Sequence, residues 1–351
     1  MASTVRPGRS RATLRLLLTC NNRCGFCAQE GLSAAPVDVD AELLAARATH
    51  DELTFVGGEP TLDLNLAAHV AAARALGFRR IGVQTNGSRM ADAAYTAGLK
   101  RAGLTDVHLS LHGTGPRVHD YHSGRAGSFG EVLAAIQAAR VNELPVVVTT
   151  VLTRSNFRVL EAMPQLLAAR GVAGWCVSVA AIAGRAATHR DRMAPRLGLA
   201  LPFALHALAA AQALRVPVWI SGAPLCLLGP FAARALPGTA RAYGDVCEAC
   251  SARSLCPGVD AAYLARFEGD ELAARDAPPT STQRDDTAAL FVGTGELARV
   301  QDSAAGPRRT SLPILGKVKP AIAEAAAGTE RRTGDALKEI LPALFDGERK
   351  P

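Results

Sequence analysis

Eight of the 351 residues are cysteines, and they fall into three groups. Cys20, Cys24 and Cys27 share the stretch C-N-N-R-C-G-F-C, Cys226, Cys247, Cys250 and Cys256 follow a C-x20-C-x2-C-x5-C pattern, and Cys176 stands alone. Thiolates are ligands of zinc and of iron–sulfur clusters, and a closed site of either kind wants four donors. The first group supplies three. At C-x3-C-x2-C spacing each sulfur can reach a different iron of a [4Fe-4S] cube, with Gly25 letting the backbone curl closely around it, and the fourth iron stays open to a substrate or cofactor. A zinc site completed by a distant ligand and a set of small buried thiols are the alternatives, although the polar N-N-R loop argues against burial. The second group supplies four thiolates, enough to close one site around a cluster or zinc. Cys176 sits between Trp175 and Val177 in a strand-like run and reads as core.

A chain of this length, 48% hydrophobic and 20% charged, has material for a sizeable core. No run approaches the eighteen apolar residues of a membrane span, and residues 14–18 are too short for a signal peptide's apolar core. The expectation is a cytoplasmic protein whose thiols serve as ligands rather than disulfides. The net charge of +7 raises the question of a polyanion partner, but the arginines are scattered and aromatic residues make up only 5%. That composition offers little for base stacking and argues against nucleic acid.

The elements that must position these thiols follow a βα rhythm. Short aliphatic runs at 14–18, 53–56, 81–84, 107–111, 146–152, 175–180 and 216–220 read as strands. Alanine- and leucine-rich stretches at 41–48, 64–75, 91–102, 129–141, 159–170 and 202–214 read as helices between them. This alternation predicts an α/β fold, a partial (β/α)6 TIM-like barrel with its chemistry at the C-terminal ends of the strands. The cysteine trio, G-G-E-P, T-N-G and S-L-H-G all fall at such ends. Residues 1–219 would form the barrel, 220–272 a small Cys-rich extension, and 273–351 a linker and a largely mobile tail with a terminal helix at 335–345.

The joint occurrence of the cysteine trio, with aromatic Phe26 before its last member, and V-G-G-E-P-T-L at 56–62 resembles the radical S-adenosylmethionine (SAM) superfamily over roughly residues 12–270. The resemblance implies that the open iron takes the amino and carboxylate groups of SAM. Reductive cleavage of SAM would then give a 5′-deoxyadenosyl radical that abstracts a substrate hydrogen. It further implies that Gly57, Gly58 and Glu59 hold the methionine amino group, that Thr85 and Asn86 neighbour the cofactor, and that Ser110 faces its ribose or carboxylate. Each could instead close a turn or cap a helix. Gly184-Arg185-Ala186 is similar to a family G-R-A element, so Arg185 is expected to meet a substrate or cofactor carboxylate or simply a core acid.

The C-x2-C-x5-C core resembles the SPASM and twitch extensions of that superfamily, which carry auxiliary clusters. It departs from the full SPASM pattern, because Asp260 stands where a further cysteine is expected. One auxiliary iron–sulfur cluster on Cys226, Cys247, Cys250 and Cys256 is therefore expected, with zinc and an Asp260 ligand as alternatives. Peptide modification is the task such extensions most often imply, with a small metabolite and a nucleoside or RNA as the rival substrates and a flavodoxin or ferredoxin as electron donor. A non-catalytic iron–sulfur or zinc protein would leave G-G-E-P unexplained. His108, His112, His119 and His122 read as a hydrogen-bonded loop over the mouth of the site rather than a metal centre, with His119 and Asp120 as candidates for substrate contact.

Overall fold

The computed structural model describes residues 11–33, 37–236, 241–279 and 287–291. Seven parallel strands lie in sequence order in one open sheet: β1 (Ala12–Arg15), β2 (Glu52–Val56), β3 (Arg80–Thr85), β4 (Asp106–Ser110), β5 (Val146–Leu152), β6 (Gly174–Val179) and β7 (Val218–Ser221). Helices α1 (Val39–Thr49), α2 (Leu66–Ala75), α3 (Ala93–Ala102), α4 (Pro116–Ser123), α5 (Ser128–Val141), α6 (Met163–Ala169), α7 (Arg185–Thr188), α8 (Arg190–Met193) and α9 (Leu197–Ala213) fall between the strands, and α10 (Ala261–Phe267) follows them. Sequential parallel strands joined by helical crossovers make the partial TIM-like barrel that the βα rhythm predicts.

Side-chain alternation divides the sheet into two faces. Leu53, Phe55, Ile81, Val83, Val107 and Leu109 pack in one cluster with Val70, Leu99, Val132 and Ile136 from the helices. Intervening positions, among them Thr54, Gln84 and His108, face the lumen. There the Arg11 Nη2 donates to both Asp106 carboxylate oxygens at 2.7 and 2.9 Å. Gly82 leaves space for that pair, since a Cβ there would meet both partners.

Two helix starts differ from the sequence expectation. Pro202 reads as an N-terminal proline, yet α9 begins at Leu197 with Pro202 inside it. The extra turn is held by tertiary partners, because Leu197 N donates to the Tyr263 hydroxyl at 2.7 Å and Gly198 N to Glu271 Oε2 at 2.9 Å. The expected loop over residues 112–124 contains α4, with Pro116 at its start and Gly124 in the left-handed region at its end.

Among the described residues the barrel and the Cys-rich segment belong to one compact unit, and residues 304–351 lie outside the described residues. The expected helix at 335–345 falls there. Residues 287–291, assigned by sequence to a linker, close the lower end of the lumen. Ala288 packs with Cys176, Trp219 and Leu236, and the Phe291 ring meets His108 edge-on at 5.5 Å.

Candidate active site

Beyond β1 the chain runs straight into the cysteine loop, and the G-G-E turn after β2 is built against it. Gly58 N donates to Leu17 O at 2.7 Å and Glu59 N to Thr19 O at 2.8 Å. A Cβ on Gly57 would stand 2.5 Å from Leu17 O, and one on Gly58 would collide with the carbonyls of Leu18 and Thr19. Close chain-to-chain approach therefore requires both glycines.

Glu59 is fully buried, and its carboxylate takes hydrogen bonds from Thr61 N at 3.0 Å, Thr61 Oγ1 at 2.6 Å, Thr85 Oγ1 at 2.6 Å and Asn86 N at 2.7 Å. Burial pushes its pKa up against the pull of those donors. The side chain joins G-G-E to T-N-G, and the hydroxyl of Thr85 is spent on it. Asn86 closes an Asx turn by accepting from Ser88 N at 2.9 Å, and its amide reaches Asn21 Oδ1 in the cysteine loop at 2.7 Å.

Two further clamps complete the loop's surroundings. On the α4 side, Arg23 N donates to Ser123 O at 2.8 Å, Arg125 Nε donates to Asn22 Oδ1 at 2.6 Å, and Phe26 packs edge-on to His112 at 4.6 Å. On the other side, Arg185 N donates to Cys27 O at 2.9 Å and its Nη1 to Cys24 O at 3.0 Å, while a second nitrogen pairs with Glu30. Arg185 thus meets a carboxylate of the protein itself, that of Glu30, and also grips the loop backbone. Gly184, at φ +55°, permits that approach, because a Cβ would lie 2.6 Å from Cys27 O.

Cys20, Cys24, Cys27, Gly57, Gly58, Thr85, Asn86 and Ser110 all line one cavity of about 460 Å³; Glu59 does not. Burial, then the neighbouring Cys20 and Cys27, push the Cys24 thiol up to about 12, with Arg185 opposing; burial also raises Cys20. Mutual repulsion of this kind is relieved when thiolates bind a cationic centre. Among the described residues no three His, Cys, Asp or Glu side chains converge on the position of a single metal ion. A cube spreads its ligands over separate irons, so it wants sulfurs around a shared space, which this cavity supplies.

The histidines are spoken for. His112 Nδ1 accepts from Val151 N at 3.3 Å, His119 Nδ1 from His112 N at 3.1 Å, and His122 lies 2.6 Å from Val118 O and 2.7 Å from Thr153 Oγ1. Burial first, then the neighbouring His119 and His122, depress His112; burial holds His119 down to about 4 with Asp120 opposing, and burial depresses His122. Asp120 accepts from Gly127 N, Ser128 Oγ and Phe129 N at 2.7 to 2.8 Å and so caps α5, whereas His119 still lines the cavity.

The four later cysteines line a second, narrow pocket. Cys256 Sγ accepts from Leu225 N and Gly258 N, and Cys250 Sγ from Arg275 N, each at 3.4 Å. Backbone amides aimed at sulfur suit a thiolate-held group. Asp260 is engaged elsewhere: its carboxylate accepts from Ile182 N at 3.1 Å and caps α10 through Ala262 N at 3.0 Å. Sequence reasoning missed Arg15, a lumen-facing arginine in an otherwise aliphatic strand.

Residues 15–163 match the family described as Radical SAM superfamily. A probable GTP 3′,8-cyclase of Saccharolobus islandicus is 34% identical over 158 residues, 42% of this chain and 50% of the relative. Its counterpart from Saccharolobus solfataricus is 32% identical over the same shares. The chain spans about half the length of the curated relatives it matches. Streptococcus suis SuiB bound to S-adenosylmethionine superposes with a TM-score of 0.52 at 13% identity, over 64% of this chain and 52% of that one. SuiB bound to its precursor peptide SuiA gives 0.51 at 14% identity, over 64% and 50%. At such identity the likeness shows the barrel alone. The cysteine loop and its G-G-E partner both lie inside residues 15–163, the segment that matches the radical SAM superfamily.

Proposed function

We propose that this chain binds a [4Fe-4S] cluster on Cys20, Cys24 and Cys27, cleaves S-adenosylmethionine reductively and abstracts a hydrogen atom from a substrate in the same cavity. One observation carries this: three thiols, both G-G-E glycines, Asn86 and Ser110 surround a single space at the strand ends. The cluster supplies the electron and the open iron that bring about cleavage of the sulfonium. The chain's own residues fix the loop, orient the cofactor and exclude water. Gly57 and Gly58 bring the loop edge to the cavity, Glu59 and Thr85 brace it from behind, and Asn86 and Ser110 remain as polar contacts to the cofactor.

For the substrate we place a small metabolite first. The cavity volume is that of a site for one or two small ligands, and the curated relatives are named for a nucleotide substrate. A peptide is the second reading, favoured by the C-x2-C-x5-C segment. That segment is proposed to hold one auxiliary iron–sulfur cluster, and a flavodoxin or ferredoxin to supply the electron.

Anaerobic incubation of iron-reconstituted protein with SAM and dithionite tests the core of the proposal. Wild-type protein is expected to release 5′-deoxyadenosine, and Cys24→Ala to release none. Equal yields from the two would overturn it.

A further inference from the structure

One layer of the lumen carries polar atoms that the protein leaves unsatisfied. The register pairs Arg15 with Val56, Phe55 with Val83 and Gln84 with His108, so Arg15, Val56, Gln84 and His108 stand abreast on β1 to β4. Their sequence neighbours Leu14, Phe55, Val83 and Leu109 pack in the helix-side core, so these four face the lumen. Val56 and Gln84 line the cavity while Arg15 and His108 do not, so the layer forms part of the cavity floor and the Arg15 guanidinium lies sealed just behind it.

Arg15 is 5% exposed, and its Nε, Nη1 and Nη2 all lack a hydrogen-bond partner. In the same layer Gln84 Oε1 and His108 Nδ1 are also unpartnered, the other His108 nitrogen lying 2.6 Å from Thr149 Oγ1. Arg11 below is different, since Thr54 and Asp106 take its Nε and Nη2. Burial, which lowers the Arg15 pKa, is the one influence on it, and no carboxylate opposes it. A guanidinium stays protonated even so, and an uncompensated buried cation costs several kcal/mol unless something anionic answers it.

We propose that Arg15 is the floor anchor for an oxyanion of the substrate, a carboxylate or phosphate, which enters the cavity beneath the cysteine loop with its charged end down. A planar fork of N–H donors matches either group in bidentate fashion. This rests on the cavity being the substrate site and adds the class of molecule it takes.

Thermal melting of the full chain in inorganic phosphate or succinate, against chloride at equal ionic strength, tests the anchor. Wild-type protein is expected to gain several degrees in the oxyanions. Arg15→Gln is expected to gain none, and to melt above wild type in chloride because the unanswered charge is gone. Gln84→Glu, which adds a carboxylate to the same layer, is expected to blunt the response in the same way and serves if Arg15→Gln fails to fold. No response in wild type, or an undiminished one in Arg15→Gln, overturns the proposal. Equilibrium dialysis of reconstituted protein separates the two sources of carboxylate. SAM affinity is expected to hold in Arg15→Gln within about twofold, and a loss of about tenfold would give the guanidinium to SAM instead. Release of 5′-deoxyadenosine without substrate tests the underlying chemistry separately.

Discussion

Gly58 shows how a residue can be legible in kind while one of its neighbours stays hidden. Paired glycines after a strand announce close backbone approach, and the sequence directs that approach at a ligand. In the fold the nearest atoms are the chain's own Leu18 and Thr19 carbonyls. Gly58→Ala is expected to push the cysteine loop away, costing about 1–3 kcal/mol in chemical denaturation and lowering iron retention after reconstitution. Unchanged stability with full iron loading would contradict this account. Glu59 follows the same logic: its type was readable, but its four donors come from Thr61, Thr85 and Asn86, partners that only the β2–β3 adjacency brings together.

At the level of elements, βα periodicity located all seven strands, because parallel strands buried on both faces stand out as aliphatic runs. What periodicity could not reveal is how loops grip one another. The α4 helix was signalled by Pro116 and Gly124 but obscured by its histidines, and α9 starts early through Tyr263 and Glu271, more than sixty residues away. Arg185 belongs here too. Arg185→Met is expected to free the carbonyl of Cys24 and the carboxylate of Glu30, while the backbone bond to Cys27 O stays, and to speed amide exchange across residues 24–30 by roughly tenfold, about 1.4 kcal/mol of local stability. Mass-spectrometric exchange measures it, and protection equal to wild type would show that the α4 side suffices.

For the whole molecule, the neutral buried histidines set an acid limit. His108 is held to about 3 by burial and then Arg11, and His119 to about 4. Unfolded, both would titrate near 6.5, so the unfolded chain binds more protons in acid and stability rises with pH. Their contribution is complete above about 6.5 and drains away as pH falls toward 4 and then 3, each tenfold gap in proton affinity being worth about 1.4 kcal/mol. Melting temperatures should therefore decline steadily below pH 6.5, and a flat profile to pH 4 would refute the assignment. The second cysteine set offers a separate test. Cys247→Ser with Cys250→Ser is expected to halve bound iron while leaving SAM-dependent changes in the remaining cluster's spectrum intact, if each site holds one cube.

Residues 287–291 stopper the narrow end of the lumen with Ala288 and Phe291. If the oxyanion rests on Arg15 as proposed, it would lie deeper than a sulfonium nucleotide held at the cysteine loop, so it would have to arrive before that nucleotide and leave after its remnants.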